Sequence, residues 1–342
     1  YKKKIITGGM ISEYPIVNEL SDYVWHGEIY KFRDHIKAGC SIEQMPGITS
    51  KNKKHLIIEQ AINWRENPII KVGRRAMYYY VSKGCPVKCK YCYIGNVREY
   101  QKIPETIYNK ALKIAGKNLM PIAAYNPYWI PGNANIGETL LKKYLKLPYK
   151  DNGPKMIRSG VEFVTMRLSD AVAKGVTIDD LNGALTKSKK VNTKMILYFI
   201  AGLESQGEIE EFFSKILSDY STMPPVNIVF TYLDPQPFTP FHDFDLRFKI
   251  ADINTRNIYN LVSQINKRFR VLPLARPEKS TIRSLFGRCE NIQDYKLVKS
   301  VAKLDYEEIL EKCSHLLGQA NIEEICRRPR KAILPAYWRC SA

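Results

Sequence analysis

Met77-Tyr78-Tyr79-Tyr80-Val81 runs, three residues later, into Cys85-Pro86-Val87-Lys88-Cys89-Lys90-Tyr91-Cys92. The first stretch is aromatic and β-branched, the composition of a strand. It delivers a C-x3-C-x2-C loop, entered through Gly84. Three soft thiolates this close can hold three irons of a cubane cluster and leave the fourth iron open. An open iron implies chemistry rather than electron storage. A structural zinc site competes poorly, because zinc wants four ligands, usually in paired C-x2-C spacing, and no fourth Cys or His lies near.

Outward from this loop the chain alternates strand and helix. Pro104 to Lys117 has helical spacing with Pro early, Leu119 to Tyr125 reads as a strand, and Gly137 to Leu147 reads as a helix. Ile157 to Thr165 is strand-like, followed by a helical run from Leu168 to Lys189 with Gly175 inside. Lys194 to Ala201 is an apolar strand ending at Gly202, a helix covers Glu208 to Tyr220, and Val226 to Leu233 is the last strand expected. This rhythm predicts an α/β fold of parallel strands with right-handed crossovers, closed or partly closed as a barrel. Upstream, Lys4 to Gly9 and Asp22 to Glu28 read as strands with glycine turns, and Ile29 to Ala38 as a helix. Residues 1–70 thus form a remnant α/β segment, 71–245 the core, and 246–342 a mostly helical extension with helices at Asn254–Phe269 and Asp305–Leu317.

Composition sets outer bounds. The 342 residues, 45% hydrophobic and 25% charged, are ordinary for a globular protein. No apolar run approaches the ~20 residues that span a bilayer. Eight cysteines in so long a chain are not a secreted disulfide framework, so a reducing, cytoplasmic compartment and no membrane are expected. Lys and Arg outnumber Asp and Glu 53 to 34, a formal charge of +19. Such a surplus favours a polyanion, DNA or RNA, as partner; a Lys-rich genome is the bland alternative.

The cysteine loop, with Tyr91 before its last cysteine, resembles the cluster loop of the radical S-adenosylmethionine (SAM) superfamily. Lys194 to Gly202 resembles that family's fifth barrel strand, which lies against the adenine of SAM and nominates Tyr198, Ile200 and Gly202. Ser159-Gly160-Val161-Glu162 resembles its fourth-strand region, where the polar side chain of Glu162 meets the ribose or amino-acid part of SAM. Phe230 to Phe241 resembles the sixth-strand exit of members that carry a cobalamin-binding domain, and Gly8-Gly9 with Gly27-Glu28 resembles the tail of such a domain. The resemblance covers roughly residues 1–245 and implies a partial or complete (βα)6 barrel, a [4Fe-4S] cluster and SAM.

Two departures stand out. The Asp-x-His-x-x-Gly loop that supplies cobalamin's lower ligand is absent from the sequence, which puts cobalamin in doubt. The Gly-Gly-Glu-like stretch after the second strand is replaced by Tyr125-Asn126-Pro127-Tyr128-Trp129, so the contact to the SAM amino group falls loosely on Asn126. The interval from Cys92 to Glu162 is also short, as if one βα unit were missing.

Other residues carry weaker signals. His242, after the sixth-strand exit, is a candidate acid or base, though a lone loop histidine is often incidental. Lys88 and Lys90 could tune the cluster but are more simply solvated. Cys289, Cys313, Cys326 and Cys340 are too widely spaced for a second cluster and read as buried thiols. Arg268, Arg270, Arg276, Lys279, Arg283 and Arg288, with the tail Arg327 to Lys331 and Tyr337-Trp338-Arg339, interleave basic and aromatic residues as a phosphate-contacting surface does, the competing reading being a solvated face and tail that cap the barrel's open edge. The resemblance therefore implies SAM cleavage to a 5′-deoxyadenosyl radical, an electron donor such as flavodoxin or ferredoxin, and, from the charge, a nucleic acid base or nucleotide as substrate. Methyl or methylthio transfer to a peptide or small molecule is the alternative within the class. A non-catalytic cluster-bearing nucleic-acid-binding or assembly protein is the alternative outside it.

Overall fold

The computed structural model describes residues 4–8, 14, 16–50, 64–66, 69–72, 76–97, 100–116, 119–122, 135–138, 141–147, 156–217, 224–236, 239–249, 255–272 and 277–328. The N-terminal part holds β1 (Ile6–Gly8), α1 (Val17–Leu20), β2 (Tyr23–Trp25), α2 (Ile29–Lys37) and β3 (Ile48–Thr49). β1 and β2 pair in parallel, β2 and β3 antiparallel. Trp25 lies between Gly27 and Gly47, where a Cβ at either glycine would come within 2.6 Å of its ring. Both positions therefore exclude a side chain.

β4 (Ile70–Val72) and β5 (Ala76–Tyr80) come next, then β6 (Ser82–Lys83), α3 (Tyr93–Val97), β7 (Gln101–Lys102), α4 (Glu105–Ala115) and β8 (Leu119–Ile122). β5 pairs in parallel with β8 and antiparallel with β4. Tyr79 and Val81 point the buried side of this sheet at Tyr108, Ala111 and Ala115 of α4.

The largest sheet has five strands, all parallel, in the order β13-β12-β11-β10-β9. Its members are β9 (Asn135–Glu138), β10 (Met156–Glu162), β11 (Lys194–Ala201), β12 (Val226–Tyr232) and β13 (Phe269–Leu272). Between them run α5 (Leu141–Lys146), α6 (Met166–Ala171), α7 (Ile178–Lys190), α8 (Gln206–Leu217) and α9 (Thr255–Ile265). Alternation along the strands sends Met195, Leu197 and Phe199 of β11, and Val226, Ile228 and Phe230 of β12, into one core with the helices. The other face of the same strands is left to Tyr198, Asn227 and Val229, which are only partly buried.

The expected α/β class and parallel sheet are present. Hydrogen bonding among the described strands divides the sheet into the β4-β5-β8 and five-stranded pieces rather than one closed barrel. Four expectations need correction. Gly137 lies in strand β9, and the helix expected from it begins only at Leu141. The run from Leu168 to Lys189 is two helices, because Gly175 takes φ +68° and turns the chain between them. The helix expected to reach Phe269 stops at Ile265, since Phe269 to Leu272 form an additional parallel strand on β12. The interval from Cys92 to Glu162 is not short of strands, as β8, β9 and β10 all lie within it.

The C-terminal part is helical: α10 (Pro277–Phe286), α11 (Ile292–Val301), α12 (Tyr306–Lys312) and α13 (Ile322–Arg327). Capping boxes at Thr177, Asp305 and Asn321 start α7, α12 and α13. Ile16, Val17 and Val24 share a buried core with Ile282, Leu285 and Ile309, joining the two ends of the sequence. Among the described residues no helix is long and apolar enough to cross a membrane.

Candidate functional site

The cysteine loop is shaped by its own backbone turns and by the helix that follows it. Gly84 takes φ +67° and Lys88 φ +54°, so the chain turns sharply on either side of Cys85. Asn96 of α3 donates its amide to the carbonyls of Cys89 at 2.6 Å and Cys92 at 2.7 Å. Gly95 lies so close to the loop that an added Cβ would stand 2.9 Å from the Lys88 Cα. The loop is also anchored from outside. The Lys90 amide donates to the Val172 carbonyl at 2.9 Å, and the Tyr93 amide donates to the Gln236 side chain at 2.7 Å. Lys83, just upstream, ion-pairs with Glu28 of the N-terminal segment. Sequence distance hides all three anchors.

Burial pushes the Cys89 thiol up to about 12, against the pull of the Lys174 ammonium. Cys92 is likewise raised by burial, opposed by the Gly95 and Ile94 amides. Cys85 and Cys92 act electrostatically on Cys89, so the three sulfurs share one neighbourhood. Among the described residues no three His, Cys, Asp or Glu side chains close on a single point as ligands of one metal ion would. A cubane makes no such demand, since each cysteine binds a different iron.

Glu162 ends β10 beside this loop. A bulge between Gly160 and Glu162 breaks the register against β11, and Glu162 takes φ +75°, unusual for a residue with a side chain. Its carboxylate accepts from Lys174 at 2.6 Å, and both side chains are 12% exposed. Burial works against the charge on Lys174, but Glu162 and the neighbouring Cys89 hold its pKa above the ordinary lysine value. The Tyr91 hydroxyl, raised by burial and by the Glu162 charge, hydrogen-bonds the same carboxylate. A Cβ at residue 160 would meet the Glu162 carboxylate, so that side chain lies back over Gly160. Lys174 was not singled out in the sequence. α6 ends at Ala171, and Ala173 at φ +61° and Gly175 at φ +68° turn the chain on either side of the lysine.

The remaining nominated residues fall around this centre. Tyr198 lies half-buried on the face of β11 away from the helices, while Ile200 is buried against Phe163, Leu168 and Leu233. Gly202 takes φ +101° and turns the chain out of β11. Two residues on, the buried Glu204 accepts from the Val164 amide at 3.0 Å and from the Thr165 amide at 2.7 Å. It thereby ties the exits of β10 and β11 together. His242 is held on the loop after β12, where burial and the Arg288 charge lower its pKa and its Nδ1 has no partner among the described residues. Phe241 beside it meets the Tyr91 ring edge-on, with centroids 6.4 Å apart. The α13 side closes over this loop: Arg328 pairs with Asp243, and Arg288 donates to the carbonyls of Phe244 at 2.6 Å and Leu316 at 2.9 Å. Lys88 is exposed, whereas Lys90 is buried rather than solvated. Asn126, Pro237, Arg276 and the tail beyond Arg328 lie outside the described residues. Cys289 and Cys313 are buried free thiols in the C-terminal core.

Comparison with known proteins adds to this geometry. No family model matches the sequence. One curated relative, the chromosomal replication initiator protein DnaA of Mesoplasma florum, is 28% identical over 117 residues, 33% of this chain and 26% of that protein. The cobalamin-dependent SAM radical enzyme OxsB, solved with aqua-cobalamin and SAM, aligns over 64% of this chain at TM-score 0.49 and 15% identity. This chain spans 39% of that structure. The radical SAM methyltransferase TsrM from Kitasatospora setae, solved with cobalamin and a [4Fe-4S] cluster, aligns over 91% of this chain and 81% of its own at TM-score 0.51 and 10% identity. The chain therefore shares its fold with the TsrM structure.

Proposed function

We propose that the protein is a radical SAM enzyme acting on a nucleic acid base or nucleotide. The observation that carries the first half is the convergence of Cys85, Cys89 and Cys92 with the Lys174–Glu162 pair at one end of the parallel sheet. The donor set suits the cofactors. Three thiolates with a nearby ammonium are the soft, charge-compensated ligands that an iron–sulfur cubane takes. A lysine and a carboxylate side by side offer one partner to each end of an amino acid, as SAM carries.

When bound, the cluster supplies the electron that cleaves SAM to methionine and a 5′-deoxyadenosyl radical. The chain's own part is positional. Asn96 and Gln236 fix the cysteine loop, Glu162 and Lys174 orient the amino-acid end of SAM, and Tyr198 with Gly202 forms the bed for its adenine. Tyr91 and Phe241 exclude water beside the loop. His242, held neutral by burial and Arg288, can accept a proton at Nδ1.

The nucleic acid half rests on the charge of +19 and belongs to the same reading. The electron donor would be a flavodoxin or ferredoxin. Methyl transfer is the second reading, favoured by the shared fold with a methyltransferase. The test is anaerobic reconstitution with iron and sulfide, then SAM and dithionite. 5′-Deoxyadenosine is the expected product. An intact cluster that yields none sinks the proposal, and S-adenosylhomocysteine in its place moves it to methyl transfer.

A further inference from the structure

Parallel sheets are usually covered on both faces. Here the described helices cover one face along its length, and on the other they reach only the C-terminal strand end, where Ile200 packs with Leu168 of α6 and Ile325 of α13. Strand alternation puts Arg158 of β10, Ile196 of β11, Asn227 of β12 and Arg270 of β13 on the other face, that of Glu162 and Tyr198. Their register makes them one row: Arg158 opposes Ile196, Ile196 opposes Asn227, and Asn227 opposes Arg270. Both arginines are exposed and make no hydrogen bond or ion pair with the described residues. Three strand spacings set their Cα atoms about 14 Å apart. Between them lie Ile196 and the Asn227 amide, and the next row on the same face adds Val229 and Leu272, the last 38% exposed. Arg158 stands four residues before Glu162, about 13 Å along the strand.

We propose that this row is a substrate site for phosphate, with Arg158 and Arg270 holding the phosphate groups of a nucleotide or short single strand. The base would rest on Ile196, Val229 and Leu272, with its edge against Asn227. The inference rests on the reading of this face as the place where substrate meets SAM, and it supplies the substrate class from side chains rather than from net charge. Guanidinium is the side chain suited to bidentate phosphate contact. An amide can both donate to and accept from a base edge. Two cations flanking an apolar strip complement an aromatic body with anions on either side.

Binding can be read on the cluster-free chain without SAM, by equilibrium dialysis with radiolabelled nucleoside 3′,5′-bisphosphates and the matching nucleosides. The bisphosphates should bind at least tenfold more tightly, and Arg158→Gln and Arg270→Gln should each weaken them about tenfold. The double variant should abolish the preference. Arg158→Lys with Arg270→Lys keeps the charge and should recover part of it. Equal affinity for nucleoside and nucleotide overturns the proposal, as does a preference that survives in the folded double variant. So does competition by an acidic peptide as strong as that by nucleotide. Failure of SAM cleavage in the unmodified reconstituted chain is a separate result, and counts against the proposed function alone.

Discussion

Cys85, Cys89 and Cys92 and the pair Cys289 and Cys313 are all free thiols, yet their surroundings differ in sign. Cys89 and Cys289 are both pushed up to about 12 by burial. At Cys89 the Lys174 ammonium pulls the other way, and at Cys92 two backbone amides do so. Around Cys289 the named charges, Asp294 and Cys313, raise the pKa further, and its sulfur donates to the Leu285 carbonyl at 3.4 Å. Burial alone makes a thiol inert. Burial with an ammonium and aligned amides makes a site that can turn thiolate when a cation arrives to replace the proton.

The comparison breaks most visibly at the metal. Cys89→Ala should remove the brown visible absorbance of the reconstituted protein entirely, and Cys289→Ala should leave it intact. Absorbance retained in the first variant would put the metal elsewhere. Lys174→Met should come next, because it strands the Glu162 carboxylate in a buried setting. A loss of about 3–5 kcal/mol in urea unfolding is expected, with Lys174→Arg recovering much of it.

The third expectation concerns pH. A thiol whose folded pKa is raised contributes stability that is complete below its unfolded value near 9.0 and is lost as pH climbs toward 12. The cluster-free chain should therefore weaken over that window. Cys289→Ala should flatten the alkaline limb with or without cluster, and Cys89→Ala should do so in the cluster-free chain, the one form open to it. An alkaline limb that Cys289→Ala leaves unchanged in the cluster-bearing protein would erase the distinction. The smallest effect is expected from Gln236→Ala, about 1 kcal/mol for one lost hydrogen bond to the Tyr93 amide, accompanied by easier loss of iron to a chelator.

Much of this was legible along the chain. β11 runs from Lys194 to Ala201 as its apolar run indicates, and the cysteine loop follows a strand as its aromatic prelude indicates. Glu162 was nominated by the likeness of residues 159–162 to the family's fourth-strand region, and it ends β10. What escaped were features made by distance or brevity. β13 is four residues with only Phe269 and Val271 buried, too short to separate from the helix before it. Lys174 sits inside a helical-looking run and gains meaning only when Gly175 turns the chain. Gln236 meets Tyr93 across 143 positions, and no local pattern announces such a contact. The Arg158–Arg270 row likewise exists only once four strands are in register.

The Lys174–Glu162 pair also sets the kind of binding its surroundings can support. Each charge already has its opposite, at 2.6 Å, so a zwitterion entering there trades one internal contact for two external ones and leaves the local charge unchanged. Its affinity is a difference between two paired states, modest in size and nearly indifferent to salt. The exposed arginine row obeys the opposite rule, since a phosphate bound there displaces screening ions and weakens as salt rises. Varying ionic strength alone should therefore separate the two ligands, holding one in place while washing the other away.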